Sequence, residues 1–174
     1  MPELHETDPS DSAVQREIES TMLDRLGEQH PGWRRVVWKV ISTDLGLPAP
    51  WRNAKPDAVW KTEQDQLIVA ESYSRIGELN AGHRRKIATD ALKLLALKHT
   101  FAGNGHVRYL IVVPEELSKR LSKLEGWLPA ALSVAAEIVS VALLPGERKR
   151  LLEASARQAQ GQARVKNASK APRE

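Results

Sequence analysis

The stretch VRYLIVV, residues 107–113, places the strongest constraint on how this 174-residue chain can fold. Its apolar residues follow one another rather than alternating with polar ones, which is typical of a central strand covered on both faces. Such a strand needs a layer of structure on each side of its sheet. The rest of the chain must therefore supply helices for both faces and further strands to extend the sheet.

Two segments have the periodicity of amphipathic helices. Apolar residues recur every fourth position at Val14, Ile18, Met22 and Leu26, which predicts a helix from Ser12 to about Gly27. A stronger helical pattern runs from about 81 to 99. Shorter helical segments are predicted at 115–124 and 129–137, and the segment 146–160 also begins as a helix.

The remaining strands are read from alternation and from short polar turns. WRRVVWKVIS, residues 33–42, alternates in character and predicts a strand. Residues 57–62 and 66–73 predict a hairpin around the polar turn TEQD, and IVSVALL, residues 138–144, predicts the last strand. The order of helix, three strands, helix, strand, helix and strand predicts an α/β domain with a central mixed β-sheet flanked by helices.

Charge is unevenly distributed along the chain. Residues 1–30 carry two basic and eight acidic groups, whereas residues 31–144 and 145–174 each have a net charge of +5. We expect a disordered acidic N-terminus at 1–12, one folded domain at 13–145, and a C-terminal helix with a disordered basic tail at 146–174. A basic domain and tail suit a polyanion such as nucleic acid, although a solvated surface accounts for the charge equally well.

Composition also excludes several classes of protein. The chain has no cysteine, so disulfides and thiolate metal sites are excluded. No apolar run reaches the length of a membrane span, so no membrane partner is expected. The acidic start has no apolar stretch of the kind found in signal peptides, and a cytoplasmic protein is therefore expected.

Two carboxylates stand at one end of the predicted hairpin. Alternation puts Glu71 on the same face as Leu67, Val69 and Tyr73, at the border between core and solvent. A carboxylate at that position needs a basic side chain, backbone amides or a cation as partner. The short turn sets Asp57 roughly opposite Glu71, and a hard divalent ion such as Mg²⁺ favours such a pair.

Structural explanations for the same two residues stay open. Glu71 could form an ion pair with Arg75, Arg84 or Arg85. Asp57 follows Pro56, and Pro-Asp is common in turns. In either case the carboxylates would hold no metal.

The order of elements, together with Pro56-Asp57 and a strand that ends in Glu71, resembles the PD-(D/E)XK nuclease superfamily over residues 13–144. The resemblance implies a restriction-endonuclease-like αβββαβ core and hydrolysis of phosphodiester bonds in DNA, with RNA not excluded. It implies that Asp57 and Glu71 bind Mg²⁺, for which Mn²⁺ would substitute. Many members act as dimers, so a homodimer is consistent with the resemblance.

The sequence departs from the family pattern at position 73. The family has a lysine two residues after the Glu, and Tyr73 stands there, with a phenol that is neutral at pH 7. Some members relocate the lysine to the following helix, which makes Lys86 the candidate third catalytic residue and Arg85 its nearest rival. Loss of the lysine would instead indicate a catalytically inactive relative that binds nucleic acid or protein.

Further residues are candidates by position. His83, Arg84 and Arg85 stand near a helix N-terminus, where anions are favoured, and are candidates to contact nucleic acid. Arg52, in the proline-rich loop 43–56, is another. In the first helix Glu17 or Glu19 could reach the metal, as an acidic residue there does in some members, or be an ordinary surface charge; neither is included among the predicted sites.

Overall fold

A computed structural model describes residues 11–101 and 106–168 as seven helices and five strands. In chain order they are α1 (Asp11–Glu28), β1 (Trp33–Arg35), α2 (Trp38–Asp44), α3 (Ala49–Asn53), β2 (Ala58–Thr62), β3 (Leu67–Ser72), α4 (Ala81–Thr100), β4 (Val107–Pro114), α5 (Glu115–Leu121), α6 (Trp127–Ala135), β5 (Glu137–Val141) and α7 (Pro145–Ala168).

The five strands form one open mixed sheet in the order β1-β2-β3-β4-β5. The first three are antiparallel neighbours, whereas β4 and β5 run parallel to β3. The predicted hairpin is confirmed: β2 and β3 pair across a turn in which Asp65 adopts a left-handed backbone with φ of 61°. The predicted α/β class with helices on both faces is confirmed as well.

Helices α1 and α7 cover one face of the sheet. The predicted row Val14, Ile18, Met22 and Leu26 is buried there, which confirms the first amphipathic helix. Leu151 and Ala154 of α7 join the same core, and the sheet contributes the side chains of Ala58, Trp60, Ile68, Ala70, Leu110, Val112 and Val141.

Helices α2, α4, α5 and α6 cover the opposite face. The buried face of α4 consists of Ile87, Ala91, Leu94 and Leu97. The spacing predicts a wider apolar face that includes Leu92 and Leu95, but both of these side chains are exposed. The four buried residues pack on the alternate residues of the strands, among them Val59, Leu67, Val69, Tyr73, Tyr109, Ile111 and Val113. The central strand β4 is thus covered on both sides, as the sequence of 107–113 predicts.

The prediction of a strand over 33–42 is wrong beyond Arg35. Helix α2 begins at Trp38, and its buried residues Trp38 and Ser42 are four positions apart, one helical turn, while Val37 and Val40 are exposed. The indole N–H of Trp38 donates to the carbonyl of Trp51 at 3.0 Å. The alternation of apolar residues predicts a strand over this segment, but residues from Trp38 onward form a helix because one helical face is buried against the core.

Two further boundaries differ from expectation. The loop 43–56 contains the short helix α3, in which Pro50 takes an early position that suits proline. Helix α7 continues through 161–168, where a basic tail was predicted, because most residues there are good helix formers. The remaining predicted tail, 169–174, lies outside the described residues. So do residues 1–10 of the segment 1–12 that was predicted to be disordered, whose last two residues belong to α1.

Within the described ranges, no helix combines the length and apolar character needed to cross a membrane.

Candidate functional site

The register of the hairpin brings the two predicted carboxylates opposite each other. Ala58 pairs with Ala70 across antiparallel strands β2 and β3. Asp57 comes one residue before this pair and Glu71 one residue after it, so continuing the register places Asp57 directly across from Glu71. Asp57 is exposed at the sheet end, whereas Glu71 is only 3% exposed.

The carboxylate of Asp57 is oriented by the neighbouring strand. Its Oδ2 accepts hydrogen bonds from the backbone N–H of Ser72 at 2.8 Å and from the hydroxyl of Ser72 at 3.1 Å. Both donors are neutral, so they fix the direction of the carboxylate without cancelling its charge. Asp57 therefore presents an oriented negative charge at the end of the sheet.

The carboxylate of Glu71 is held by a lysine that the sequence did not suggest. The ammonium of Lys93 pairs with Glu71 Oε1 and also donates to the carbonyl of Lys55 at 2.8 Å. Burial raises the pKa of Glu71 to about 7, with the contact to Lys93 opposing and the charge of Asp57 adding to the rise. The arginine partners considered from the sequence do not make this ion pair.

Lys86 lies on the same face of α4 as Lys93, at a spacing of seven residues. Its Nζ pairs with Asp90 Oδ2 at 2.8 Å and stands 5.3 Å from the centroid of the Tyr73 ring. Lys93 therefore contacts Glu71, whereas Lys86 stands over the ring of Tyr73. Burial lowers the pKa of Lys86, but Asp90, Glu19 and Asp57 together raise it above its ordinary value.

A third carboxylate, Glu19, reaches this end of the sheet from α1. Its Oε1 accepts a hydrogen bond from the N–H of Ser74 at 3.0 Å. Burial raises the pKa of Glu19, the hydrogen bond from Ser74 and the charge of Lys86 lower it, and the charge of Asp57 raises it further. Glu17 instead pairs with Arg150, so of the two acidic candidates in α1 only Glu19 belongs to the cluster.

We call Glu19, Asp57, Glu71, Lys86, Asp90 and Lys93 the charged cluster. A cleft of about 210 Å³ opens beside it and is lined by Arg16, Glu19, Ser20, Leu23, Arg35, Asp57 and Ser72. The cluster thus contains four carboxylates and two lysine ammonium groups, of which only Glu19 and Asp57 line the cleft. An additional cation would relieve the repulsion among the carboxylates.

The predicted nucleic-acid contacts lie in two places. His83 closes the N-terminus of α4: its backbone N–H donates to Asn80 Oδ1 at 3.0 Å, and its Nδ1 accepts from the N–H of Asn80 at 3.3 Å. Burial and the charge of Arg75 lower the pKa of His83 below its ordinary value, which favours the uncharged ring. Arg84 donates to the carbonyl of Leu79, and Arg85 is exposed.

Arg52, the fourth predicted contact, is on α3 and lines a different cavity, to which Lys55 also contributes. It is exposed, and its cavity is larger than the cleft beside the charged cluster.

The oxygen ligands of Asp57 and Glu71 suit a hard divalent ion. No group of three or more His, Asp or Glu side chains within 11–101 and 106–168 is arranged to hold an ion. Mg²⁺ needs fewer protein ligands, because it commonly takes one or two carboxylates and completes its shell with water and phosphate. Both hydrogen bonds from Ser72 go to Oδ2 of Asp57, which leaves its Oδ1 for such an ion.

The fold and the charged cluster define an α/β protein with opposed carboxylates and helix-borne lysines at one end of its sheet. No family model matches the chain, and neither the curated proteins nor the solved structures searched contain a match. The function must therefore be inferred from the residues of this chain.

Proposed function

We propose that this protein is a Mg²⁺-dependent nuclease that hydrolyses phosphodiester bonds of DNA through a PD-(D/E)XK-type site. The observation that carries the proposal is that Asp57 and Glu71 stand opposite each other on adjacent strands, with two lysines of α4 beside them. The order of α1, three antiparallel strands, α4 and a parallel β4 supports a restriction-endonuclease-like core.

In this proposal Asp57 and Glu71 hold the ion. The bound Mg²⁺ would lower the pKa of a water molecule and offset negative charge on the phosphate oxygens. Ser72 keeps Asp57 in a fixed orientation, and Lys93 favours the ionised form of Glu71 that a cation requires. Each of these contacts prepares a carboxylate before any substrate arrives.

In this proposal Lys86 supplies the positive charge that a lysine at position 73 would otherwise provide. Burial raises the pKa of Tyr73 to about 12, so its phenol stays neutral and supplies no positive charge. The ammonium of Lys86 stands over that ring and keeps its proton at pH 7. It would stabilise negative charge that develops on the phosphate during the reaction.

Cleavage of plasmid DNA tests the proposal. Purified protein with Mg²⁺ or Mn²⁺ should nick or linearise the plasmid, and Asp57→Asn or Glu71→Gln should lower the rate by roughly 100-fold or more. Lys86→Met should have a smaller effect of about 10- to 100-fold. Asp65→Asn, at an exposed turn carboxylate paired with Lys61, is the matched control and should cleave like the wild type.

Ion binding has its own readout in calorimetry. Mn²⁺ titration should give heat of binding with the wild type and none with Glu71→Gln. If the protein binds Mn²⁺ but cleaves no DNA with any of the metals tested, the alternative function is supported, namely an inactive relative that binds nucleic acid or protein. The phenol of Tyr73 at the position of the family lysine favours this alternative. Absence of binding heat in the wild type would show that the carboxylates are structural.

A further inference from the structure

A second cavity, of about 650 Å³, is lined in part by Lys55 and Pro56, the two residues that precede Asp57. Its charged lining is entirely basic and comes from α2, α3 and the segment that leads into β2. The basic residues are Lys39, Arg52 and Lys55, and we call this space the basic cavity. All three are exposed.

The three cations of the basic cavity have no acidic partner among the described residues. Lys86 and Lys93 of the charged cluster and Arg35 of the cleft beside it differ in this respect, because each of these three pairs with a carboxylate. Three uncompensated positive charges around one concave space repel each other, and an anion bound between them would relieve that repulsion.

Two features connect the basic cavity to the charged cluster: the backbone from Lys55 to Asp57 and the side chain of Lys93. Only Pro56 separates Lys55, on the cavity wall, from Asp57. The ammonium of Lys93 donates to the carbonyl of Lys55 and pairs with Glu71, so it fixes the cavity wall relative to the carboxylate. A polyanion that occupied the cavity would thus continue directly to the carboxylates.

From these observations we infer that the basic cavity is a DNA-backbone subsite, in which Lys39, Arg52 and Lys55 bind phosphates flanking the one held at the carboxylates. The inference rests on the proposed function for its substrate class. The exposed side chain of Val37 on the same wall gives the sugar an apolar surface, so a nucleotide is a better fit than a small free anion. Lys39 and Lys55 were not among the contacts suggested by the sequence.

Salt-dependent DNA binding without divalent metal tests this subsite separately from catalysis. A fluorescein-labelled DNA duplex is titrated with protein in EDTA at several salt concentrations and followed by anisotropy. Log K falls as log salt rises, and each lost phosphate contact reduces the magnitude of this slope by about 0.9. The variant Lys39→Gln/Arg52→Gln/Lys55→Gln should therefore lose about 2–3 units of slope and bind at least about tenfold more weakly at low salt.

The matched control removes three other exposed positive charges, in Lys119→Gln/Arg120→Gln/Lys123→Gln. These residues belong to α5 and the turn after it and line neither cavity. The control should change the slope by less than about one unit. Circular dichroism and thermal melting should show that both variants keep the wild-type fold, because the substituted side chains are exposed.

An unchanged slope in the cavity variant, or an equal loss in the control, overturns the subsite. Failure of the proposed function looks different: the wild type would bind DNA with the expected slope and yet cleave none. Wild-type protein that binds no DNA in EDTA also overturns the subsite, whatever the plasmid assay shows.

Discussion

The buried carboxylate of Glu71 depends on the ammonium of Lys93. The Glu71 side chain is only 4% exposed, so its carboxylate loses most of its hydration, and the negative charge of Asp57 opposes ionisation of Glu71 further. Lys93 offsets part of both effects, and its own side chain is 26% exposed. Removing one partner of a buried pair is costly because the other is left without compensation.

Replacing Lys93 by methionine should lower the free energy of unfolding by about 2 kcal/mol at pH 8, measured by urea denaturation without metal. The loss stays below the roughly 3–5 kcal/mol typical of broken buried pairs because Glu71 can bind a proton instead. The pKa of Glu71 should rise above about 7 in the variant.

A double-mutant cycle supplies the control for that change. In a Glu71→Gln background, Lys93→Met should cost much less, since no buried charge is left behind. Lys86→Met should cost no more than about 0.5 kcal/mol, because the Lys86 side chain is half-exposed and its pair with Asp90 lies within one helix. Equal losses from Lys93→Met in both backgrounds would mean that Lys93 stabilises the fold through packing alone.

At the scale of elements, helix α4 serves the core with one face and the charged cluster with another. Its residues Ile87, Ala91 and Leu94 are buried against the sheet. The neighbouring face carries Lys86 and Lys93 at the sheet end. The position of both lysines is therefore set by how the apolar face packs.

Leu94→Ala should lower the free energy of unfolding by about 3 kcal/mol, because Leu94 is fully buried and truncation leaves a cavity. Leu92→Ala, two residues away on the same helix, should cost less than about 0.5 kcal/mol, since Leu92 is 64% exposed. Chemical denaturation of the two variants side by side checks this. Similar losses would contradict the helix orientation described above.

For the molecule as a whole, contacts between α1 and α7 connect the beginning of the described chain to its end. Arg25 of α1 pairs with Glu147 of α7 at 2.7 Å and also donates to the carbonyl of Ala142. Burial raises the pKa of Glu147, but hydrogen bonds from Arg25 and from the N–H of Leu144 outweigh it and bring the pKa below 4.5. These contacts hold α7 against the sheet.

The Arg25–Glu147 pair should make stability dependent on acid pH. A pKa lowered by folding means that Glu147 stabilises the fold above about pH 4.5 and loses this contribution as the pH falls through the folded value. Glu147→Gln should therefore reduce the free energy of unfolding by about 1 kcal/mol at pH 7, and the difference from wild type should shrink below about pH 4.

Denaturation at a series of pH values measures this, with Glu153→Gln as control. Glu153 is half-exposed and stands 3.9 Å from Lys149, so its replacement should leave the pH profile unchanged. A Glu147→Gln deficit that persists undiminished at pH 3 would exclude the ionic explanation.

What the sequence alone determined are the features encoded locally. Apolar spacing defined α1 and indicated the helix α4, and the continuous apolar stretch defined β4. The short turn set the register that brings Asp57 across from Glu71, because side-chain alternation and turn length fix a hairpin without reference to the rest of the chain.

Only the tertiary structure decided what lies beside those carboxylates. Lys93 and Glu71 are 22 residues apart in sequence, and Glu19 lies still further from Asp57, so no periodicity indicates that they meet. Packing of α1 and α4 on opposite faces of the sheet brings them there. Packing also made the segment from Trp38 helical: a strand would place Val40 on the same buried face as Trp38 and Ser42, whereas in α2 Val40 is exposed.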